Sequence, residues 1–437
     1  MEVCFVCPFA YPLFDSDATG RFGGSEVRAW LFARGLAKLP GFEVTVAVFD
    51  HGQPPWQRID GVNVIAMASP NRFSERLLDE VRQYVSRRPS APWVALRRRP
   101  KPSLTWQLPL AMSIRLAAPL QREIYLRRFV EPRRRRALEM IDADVYCSFG
   151  THHITSETVA HCQRRGRRSV LLLESDSNVS LESRSGSRVR NLDGEMWRVC
   201  HYGLMHADRI ISQTSRQQSL LRTRFSRDSV LIADPIDLNR SARCPRSKES
   251  DRFALWIGKS EPYKRPDLCV ELARRCPEIP FVMVLNRAKP ELHERIMTHV
   301  PPNLRIIEQV AFSKIEGYFA QASVLVNTSD YEGFPVTFLQ AGKYGVPVAS
   351  LRANPDDFLT RHGCGIAADG DLQVMADAVR KLCSGSGRAA KFGLRIYDYV
   401  TSRHELDGRV LDLAEVLNEV DGRSRKVPVV DRLAVKL

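Results

Sequence analysis

The stretch NTSDYEGFPVTFLQAGKYGVP, residues 327–347, predicts the local fold of the half of the chain in which it lies. It follows an apolar run, residues 322–326, that is typical of a buried parallel strand. The polar segment 329–333 then predicts a turn, and Pro335 favours the first position of a helix, where its missing N–H costs nothing. Gly345 and Pro347 predict the end of that helix. The stretch is therefore a strand, a glycine-containing turn and the start of a helix.

A helix start of this kind favours anion binding, because its free N–H groups and the helix dipole both attract negative charge. Glu332 lies in the turn, and Gln340 follows Val336 by one helical turn. An acid and an amide beside a phosphate site suit a ligand in which a diphosphate joins a sugar to a ribose, since hydroxyls lie on both sides of the phosphates. On spacing alone, an ordinary turn with a solvated Glu and Gln remains the alternative.

Length and composition indicate a globular chain of two domains, because 437 residues exceed one ordinary domain and 44% are hydrophobic. No apolar run approaches the ~18 residues that span a bilayer. The acidic N-terminus predicts a first strand rather than a signal peptide.

Ten scattered cysteines are typical of a reducing compartment, so we expect a cytoplasmic protein. Cys4 and Cys7 should lie on opposite faces of a strand, as buried thiols that neither pair nor share a metal.

The positive charge is concentrated in one segment. Residues 82–136 contain 15 Lys and Arg against two acids, which is +13 of the net +15. Aromatic and aliphatic residues and seven prolines are interleaved with these charges. The segment is an insertion, and its composition favours an anionic membrane surface, with peripheral attachment to the inner face of the cytoplasmic membrane. A solvated insertion is the alternative, and we do not expect nucleic acid to be the partner although its phosphates would suit the charge.

The first half opens with a strand at residues 2–9, a helical pattern that closes at Gly41, and a second strand at 43–49. This order is typical of a doubly wound parallel sheet. Gly23 and Gly24 come just before the helix, so a phosphate could approach the backbone there, although a tight turn explains a glycine pair equally well. A later strand ends at Phe149. His152 and His153 follow it, at the carboxyl edge where ligands bind such sheets.

The second half repeats this plan after a polar, helix-poor segment, residues 236–252. We therefore predict a domain at 1–235, a linker at 236–252, a domain at 253–395, and C-terminal helices with a tail at 396–437. The first strand of the second domain ends in GKSEPYKRP, residues 258–266. Lys259 and Lys264 are spaced so that they can straddle a diphosphate and neutralise a leaving group.

Together these segments resemble the retaining glycosyltransferases of family 4 (group 1). GKSEPYKRPDL is similar to the G-(R/K)-x-x-x-x-K segment of that family, and EGFPVTFLQAGKYGVPV is similar to its E-G-F-x7-E-A-x-x-x-G-x-P-V signature. GGSEVRAWLFARGLA resembles its N-terminal helix start. The nearest members act in exopolysaccharide or cell-surface glycan assembly. The resemblance implies an α/β chain of the GT-B fold, in which two Rossmann-like doubly wound parallel-sheet domains face a central cleft.

The resemblance also implies a reaction and roles for individual residues. A nucleotide-diphosphate sugar would be the donor, a glycan or lipid-linked hydroxyl the acceptor, and transfer would retain the anomeric configuration without a metal or cofactor.

Lys259 and Lys264 would bind the diphosphate, and Arg265 would substitute for Lys264. Glu332 would contact the transferred sugar, while His152 or His153 would orient the sugar and acceptor. Main-chain N–H groups of the segment Gly333, Phe334, Pro335, Val336 and Thr337 would hold phosphate, except at Pro335, which has none. Gly23 and Gly24 would close over the diphosphate from the other domain.

One position departs from the family signature, because Gln340 stands where its second acid binds the ribose hydroxyls. An amide accepts one such bond but loses the charge-assisted pair. Gln340 is the support for a rival interpretation, a non-catalytic GT-B scaffold that binds glycan or membrane. A metal-dependent glycosyltransferase of the other main fold would need an Asp-x-Asp after a strand with a further acid nearby. A nucleotide-sugar epimerase or a glycan phosphorylase would share the two-domain plan.

Overall fold

The computed structural model describes residues 1–15, 18, 22–67, 132–180, 195–238, 253–308, 310–384 and 387–422. Nearly all of the predicted basic insertion, most of the predicted linker and the tail lie outside these residues. Two parallel sheets organise the described part, and together they give the predicted α/β architecture of two doubly wound domains.

The first sheet has eight strands in the order β3-β4-β2-β1-β5-β6-β7-β8. All neighbours are parallel except the β3–β4 hairpin pair. The strands are β1 Glu2–Val6, β2 Glu43–Phe49, β3 Trp56–Ile59, β4 Val62–Met67, β5 Val145–Phe149, β6 Arg168–Leu172, β7 Arg209–Ser212 and β8 Val230–Leu231. The chain leaves β1 toward β2 and returns to β5 on the other side, so the switch point of this sheet lies between β1 and β5.

The second sheet has six parallel strands in the order β11-β10-β9-β12-β13-β14. They are β9 Phe253–Lys259, β10 Phe281–Asn286, β11 Leu304–Ile307, β12 Ala322–Asn327, β13 Val348–Ser350 and β14 Gly365–Ala367. The switch point lies between β9 and β12. Lys259 ends one of these strands and Asn327 ends the other, so both segments singled out in the sequence reach the same crevice.

Helices cover both faces of the two sheets. They are α1 Tyr11–Phe14, α2 Gly24–Leu36, α3 Arg136–Glu139, α4 His153–Arg165, α5 Trp197–His206, α6 Ser215–Phe225, α7 Pro266–Arg275, α8 Pro290–Thr298, α9 Phe312–Gln321, α10 Val336–Lys343, α11 Phe358–Arg361, α12 Leu372–Cys383, α13 Gly387–Arg403 and α14 Leu406–Asp421. Within the described ranges, no helix has the length and apolar character needed to cross a membrane.

The last helix returns to the first domain. Leu406, Val410, Leu413 and Leu417 of α14 belong to the same buried core as β1, β2 and α2. Gly35 permits this packing, since a Cβ there would lie 2.3 Å from Val410 Cγ2. The chain thus crosses between the domains twice, and the two crossings touch where Ile236 bridges Glu405. The boundary predicted at residue 395 falls inside α13, which packs on the second domain.

Local chemistry explains where the decisive elements begin and end. Strand β12 is buried almost throughout, as its apolar sequence predicts. Helix α10 begins at Val336, with Pro335 in the capping position rather than in the first turn. Gly345 has a φ of +63° and supplies the left-handed residue after that helix. In the first strand, Cys4 and Cys7 are buried in different cores on opposite faces of the sheet.

Candidate active site

A cavity of about 650 Å³ lies between the carboxyl edges of the two sheets. Both domains line it, and it contains most of the side chains that the sequence suggested. From the second domain come Lys259, Lys264, Glu332, the segment 333–337 and Gln340. From the first domain come Gly23, Gly24, His152 and His153. The fold therefore brings together residues that are more than 300 positions apart in the chain.

The two lysines differ in their surroundings. Lys264 Nζ lies 2.5 Å from Glu332 Oε1, and the side chains are 22% and 12% exposed. An ammonium group has three donors, so Lys264 can hold Glu332 and still bond a phosphate oxygen. Lys259 has no carboxylate within ion-pair distance among the described residues, although it lines the cavity and its charge acts on Glu26. Of the two lysines that line the cavity in the described part of the second domain, Lys259 is therefore the one without an ion-pair partner.

The turn before α10 packs directly against the first domain. Gly333 is buried against the first domain, and a Cβ there would lie 2.3 Å from the backbone oxygen of Glu174. The N–H of Phe334 donates to Gln213 Oε1 at 3.3 Å, and the Phe334 ring packs on Phe358 and His404. This N–H therefore already has a partner in this arrangement, and its role toward a phosphate stays a prediction. Pro335 has no N–H, so the donors left for an anion are those of Val336 and Thr337 at the helix start.

Gln340 lines the cavity from within α10. The side chain is 9% exposed, and no hydrogen bond joins it to another residue in the described ranges. A buried amide that faces a cavity normally has a partner. The position is therefore suited to bonding a ligand hydroxyl, as the sequence comparison suggested.

Arg265 lies elsewhere, and its predicted role as a substitute for Lys264 is not supported by its contacts. Its guanidinium bonds Asp267 at 2.9 Å and lies 3.7 Å from Asp330. These acids line a separate surface depression rather than the cavity between the domains. The residue has a φ of +48°, which turns the chain into α7 and directs consecutive side chains of Lys264 and Arg265 to different places.

The two glycines of the first domain lie against the second. Gly23 caps α2, and its N–H donates to Glu26 Oε2 at 2.5 Å. A Cβ on Gly23 would lie 3.0 Å from Lys259 Nζ, and one on Gly24 would lie 3.1 Å from Val336 Cγ2. Burial raises the pKa of Glu26, while the charge of Lys259 opposes that shift. Glycine thus lets the helix approach the predicted phosphate site closely, and a side chain here would press on Lys259 or Val336.

The two histidines at the end of β5 each meet a different glutamate. His152 Nε2 lies 3.3 Å from Glu174 Oε2, and His153 Nδ1 lies 2.7 Å from Glu195 Oε1. Burial raises the pKa of Glu174, but the hydrogen bonds of His152 and Ser25 and the charges of His152 and Arg28 together lower it by more, so its pKa lies below the ordinary value. Both glutamates also line the cavity. The pairs hold the imidazole rings in defined orientations beside the space for a substrate.

A buried ion pair supports this wall from behind. Arg28 Nε lies 2.8 Å from Asp234 Oδ1, with both side chains no more than 2% exposed. Arg28 also donates to the backbone oxygen of Leu173, and Gln213 Nε2 donates to Asp234 Oδ2. Since Gln213 in turn accepts from Phe334, the network connects α2 of the first domain to the turn that begins α10. Arg28 therefore positions both walls without lining the cavity.

Replacing Arg28 by methionine is expected to destabilise the protein by about 3–5 kcal/mol, because it leaves Asp234 buried without its counter-ion. Burial already raises the pKa of Asp234 to about 6 despite Arg28. A carboxyl group whose pKa is raised in the folded state lowers the free energy of unfolding as pH rises through that raised pKa. The deficit should therefore shrink when urea unfolding is measured at pH 5 instead of pH 7.

Arg34→Met is the matched control, because Arg34 lies on the same helix and pairs with the exposed Asp60. An exposed pair contributes about 1 kcal/mol or less. The role given to the buried pair would be contradicted if Arg28→Met lost as little free energy of unfolding as Arg34→Met. It would also be contradicted if the loss in Arg28→Met were equal at both pH values.

A second interdomain contact involves Asp356 of the second domain, which caps α6 of the first. Its carboxylate accepts from the N–H of Ser215 at 2.7 Å and from that of Arg216 at 3.0 Å. The Ser215 hydroxyl adds a third bond at 2.8 Å. Asp356 has a φ of +47°, a conformation that Asp and Asn tolerate better than other side chains. Thr214 caps the N–H of Gln217 from within the first domain, whereas Asp356 of the other domain bonds the N–H groups of Ser215 and Arg216.

Asp356→Asn is expected to raise the KM for the donor about fivefold, since losing a charged cap costs about 1 kcal/mol of the closed arrangement. Asn keeps the backbone conformation, so the change isolates the charge. Asp357→Asn is the control, because Asp357 is adjacent, has a φ of +58° and caps nothing across the cleft. Equal donor KM values in both variants would show that the Asp356 contact does not assist closure.

Several residues of the site were missed in the sequence. Glu26 stands in the quoted segment GGSEVRAWLFARGLA, after the glycine pair, and Glu174 stands two residues after the end of β6. A signal was available for Glu174, because it follows the carboxyl end of a parallel strand next to β5. Glu195 gave no such signal, since its contact with His153 joins residues 42 positions apart in the chain. Among the described residues, no group of three metal-ligating side chains could hold a metal ion.

Comparison with known proteins agrees with this geometry. Residues 252–385 match the family model described as Glycosyl transferases group 1. No curated protein sequence matches the chain. Among solved structures, sucrose-phosphate synthase from Thermosynechococcus elongatus is similar, with 15% identity and a TM-score of 0.65 over 97% of this chain and 100% of that one. The trehalose-6-phosphate synthase OtsA gives 10% identity and a TM-score of 0.63 over 96% and 99%.

Another similar structure is a mutant of TarM from S. aureus in complex with Fondaparinux, alpha-GlcNAc-glycerol and UDP. It is 14% identical, with a TM-score of 0.52 over 65% of this chain and 58% of that chain. At these identities the likeness shows the fold, which is the predicted GT-B arrangement and excludes the metal-dependent glycosyltransferase of the other main fold. Residues 252–385 are therefore similar to the Glycosyl transferases group 1 domain, and the whole chain has the GT-B fold.

Proposed function

We propose that this chain moves a sugar from a nucleotide-diphosphate sugar to a hydroxyl of a glycan or lipid-linked acceptor, with retention and without a metal or cofactor, in the assembly of a cell-surface polysaccharide. The observation that carries the proposal is Lys259. Its ammonium group lines the closed cavity with no carboxylate partner in the described ranges, beside the start of α10. A cation and a helix N-terminus that converge on one space favour a diphosphate.

In this mechanism Lys259 and Lys264 stabilise the departing nucleotide diphosphate, and the N–H groups of Val336 and Thr337 bond its oxygens. Glu332, held by Lys264, orients the transferred sugar from the same side. His152 and His153 act from the opposite wall on the sugar and the acceptor hydroxyl. Closure of the two domains excludes water, which favours transfer over hydrolysis.

Gln340→Glu is expected to lower the KM for the donor about fivefold, because a carboxylate bonds ribose hydroxyls about 1 kcal/mol more strongly than an amide. The rate at saturating donor should stay the same. Gln373→Glu, on the exposed face of α12, makes the same charge change outside the cavity and should alter neither value. Loss of activity in Gln340→Glu would contradict the role of this position at the ribose.

Thermal stabilisation by nucleotides and nucleotide-diphosphate sugars tests the proposal as a whole. A ligand at 100-fold over its Kd adds about 2.7 kcal/mol to the free energy of unfolding, a shift of a few degrees for a chain of this size. A selective shift with one nucleotide class would support the proposal and identify the base of the donor. If no ligand shifts the folded protein, the non-catalytic scaffold with Gln340 becomes the better account.

Peripheral attachment to an anionic membrane through residues 82–136 is part of the proposal, and it rests on the composition of that segment. Binding to vesicles that contain phosphatidylglycerol, weakened by salt and absent with phosphatidylcholine alone, is the expected result. Equal binding to both kinds of vesicle would favour a plain insertion.

A further inference from the structure

The ion pair of Lys264 and Glu332 joins two separate loops of the second domain. Lys264 belongs to residues 260–265, which follow β9, and Glu332 belongs to residues 328–333, which follow β12. Behind the cavity wall, the hydroxyl of Thr328 also connects these loops. From this connection we infer that Thr328 is a positioning residue, which holds the backbone at Lys264 and so places its ammonium group in the cavity. The inference rests on the proposed function, in which that ammonium group binds the diphosphate.

The Thr328 hydroxyl contacts three groups behind the wall. It accepts a hydrogen bond from Nε1 of Trp256 at 2.9 Å. It also lies 2.9 Å from each of the backbone oxygens of Lys264 and Arg265, to which it donates. Because an indole N–H can only donate, Trp256 occupies a lone pair and leaves the proton of the hydroxyl directed at the loop. Thr328 is fully buried and is not among the described residues that line the cavity, so it acts there through its neighbours.

The backbone that Thr328 holds is in a strained conformation. Arg265 has a φ of +48°, in the left-handed region that side chains other than Gly, Asn and Asp seldom adopt. The two carbonyls that accept from Thr328 belong to the two peptide units on either side of the Arg265 Cα. The hydroxyl therefore fixes both dihedral angles of that residue. Without it, Arg265 can relax toward an ordinary φ, which rotates the preceding peptide unit and moves Lys264.

Further contacts fasten the residue on the other side of Lys264. The N–H of Asp330 donates to the backbone oxygen of Tyr263 at 2.8 Å. The rings of Tyr263 and Tyr331 stack, with centroids 5.0 Å apart and planes at 20°. Lys264 Nζ lies 5.2 Å from the centroid of the Tyr263 ring. The loop is thus anchored before Lys264 by the tyrosine and after it by Thr328, and losing either anchor frees the lysine.

Calorimetric binding of uridine or guanosine diphosphate, whichever raises the melting temperature of the full-length protein, tests this inference. Thr328→Val keeps the shape of the side chain and removes the hydroxyl. Its affinity for the diphosphate should fall about tenfold, since a misplaced Lys264 weakens a hydrogen bond to a charged group. Thr328→Ser keeps the hydroxyl and should restore the affinity. Thr158→Val is the matched control, because its buried hydroxyl donates to the backbone oxygen of Ile154 within α4 of the first domain. It should bind as the unchanged protein does.

A double-mutant cycle shows whether Thr328 acts through Lys264. In the background of Lys264→Met, Thr328→Val should change the affinity by about twofold at most, because the group that it positions is gone. A side chain that only stabilises the domain would instead lower the affinity by the same factor in both backgrounds. Titrations are made below the melting temperature of every variant, because Thr328→Val leaves the buried N–H of Trp256 without this acceptor.

The outcomes separate the inference from the proposed function. Unchanged affinity in Thr328→Val or in Lys264→Met, no restoration by Thr328→Ser, or equal losses in the two backgrounds would overturn the positioning role while nucleotide binding stands. Failure of both diphosphates to bind the unchanged protein would remove the proposed function and this inference with it. If Thr328→Val does not fold, Thr328→Cys replaces it, because a thiol is a weaker donor than a hydroxyl. Equal affinities in Thr328→Cys and Thr328→Ser would then overturn the inference.

Discussion

Replacing Lys259 by methionine is expected to lower kcat about a hundredfold or more, with little change in thermal stability. Donors that stabilise a developing negative charge in a closed site contribute about 3–4 kcal/mol each when removed singly. Lys259 has no carboxylate within ion-pair distance among the described residues, so the substitution removes a charge without breaking an ion pair. Initial rates of nucleotide release at saturating donor and acceptor measure the effect.

Lys264→Met is a different experiment, because Lys264 is bonded to Glu332. Its removal frees a half-buried carboxylate beside the phosphates, so both kcat and the donor KM should worsen. Lys289→Met is the control for the loss of a positive charge, since Lys289 lies in the same domain on the separate surface depression. Near-normal kcat in both cavity variants would remove these lysines from the leaving-group site.

Gly333→Ala is expected to reduce kcat/KM about a hundredfold by preventing the two domains from meeting. The added Cβ would lie 2.0 Å from Gln213 Oε1 and 2.3 Å from the backbone oxygen of Glu174. The Gln213 side chain can move, but the Glu174 backbone cannot move without shifting the end of β6. Displacing reacting groups by about 1 Å is enough for a loss of this size.

Small-angle X-ray scattering supplies a second readout for Gly333→Ala, because the variant should stay more extended than the unchanged protein when nucleotide is added. Gly317→Ala is the matched control in the same domain, since a Cβ on Gly317 would touch nothing within 4 Å. Full activity in Gly333→Ala would mean that catalysis uses an interdomain arrangement different from this one.

The local parts of this fold could be predicted from the sequence, because their signals lie within a few residues of each other. The apolar run before Asn327 is the strand β12, and the turn and helix follow as expected. The β3–β4 hairpin and the return of α14 were not predicted. The packing of α14 depends on contacts such as that between Gly35 and Val410, which leave no pattern in either segment alone.

In the candidate site, too, some features could be predicted from the sequence and others could not. Residues at strand ends, such as Lys259 and His152, could be placed at the cavity because the carboxyl ends of parallel strands meet at one edge. The direction of a side chain could not be predicted, since the left-handed conformation of Arg265 turns it away from its neighbour Lys264. Nor could the pairing of Arg28 with Asp234, which joins a helix to a distant strand end.

The position of α14 has a consequence for how this protein is made. The first domain begins at residue 2, yet part of its core comes from the last helix, which ends at Asp421. During synthesis that core stays incomplete until α14 has left the ribosome, whereas the sheet of the second domain ends earlier, at Ala367. Domains normally fold as they emerge, the N-terminal one first. Here the first domain has to wait for a helix that follows the second, so loss of α14 should damage the N-terminal half of the molecule.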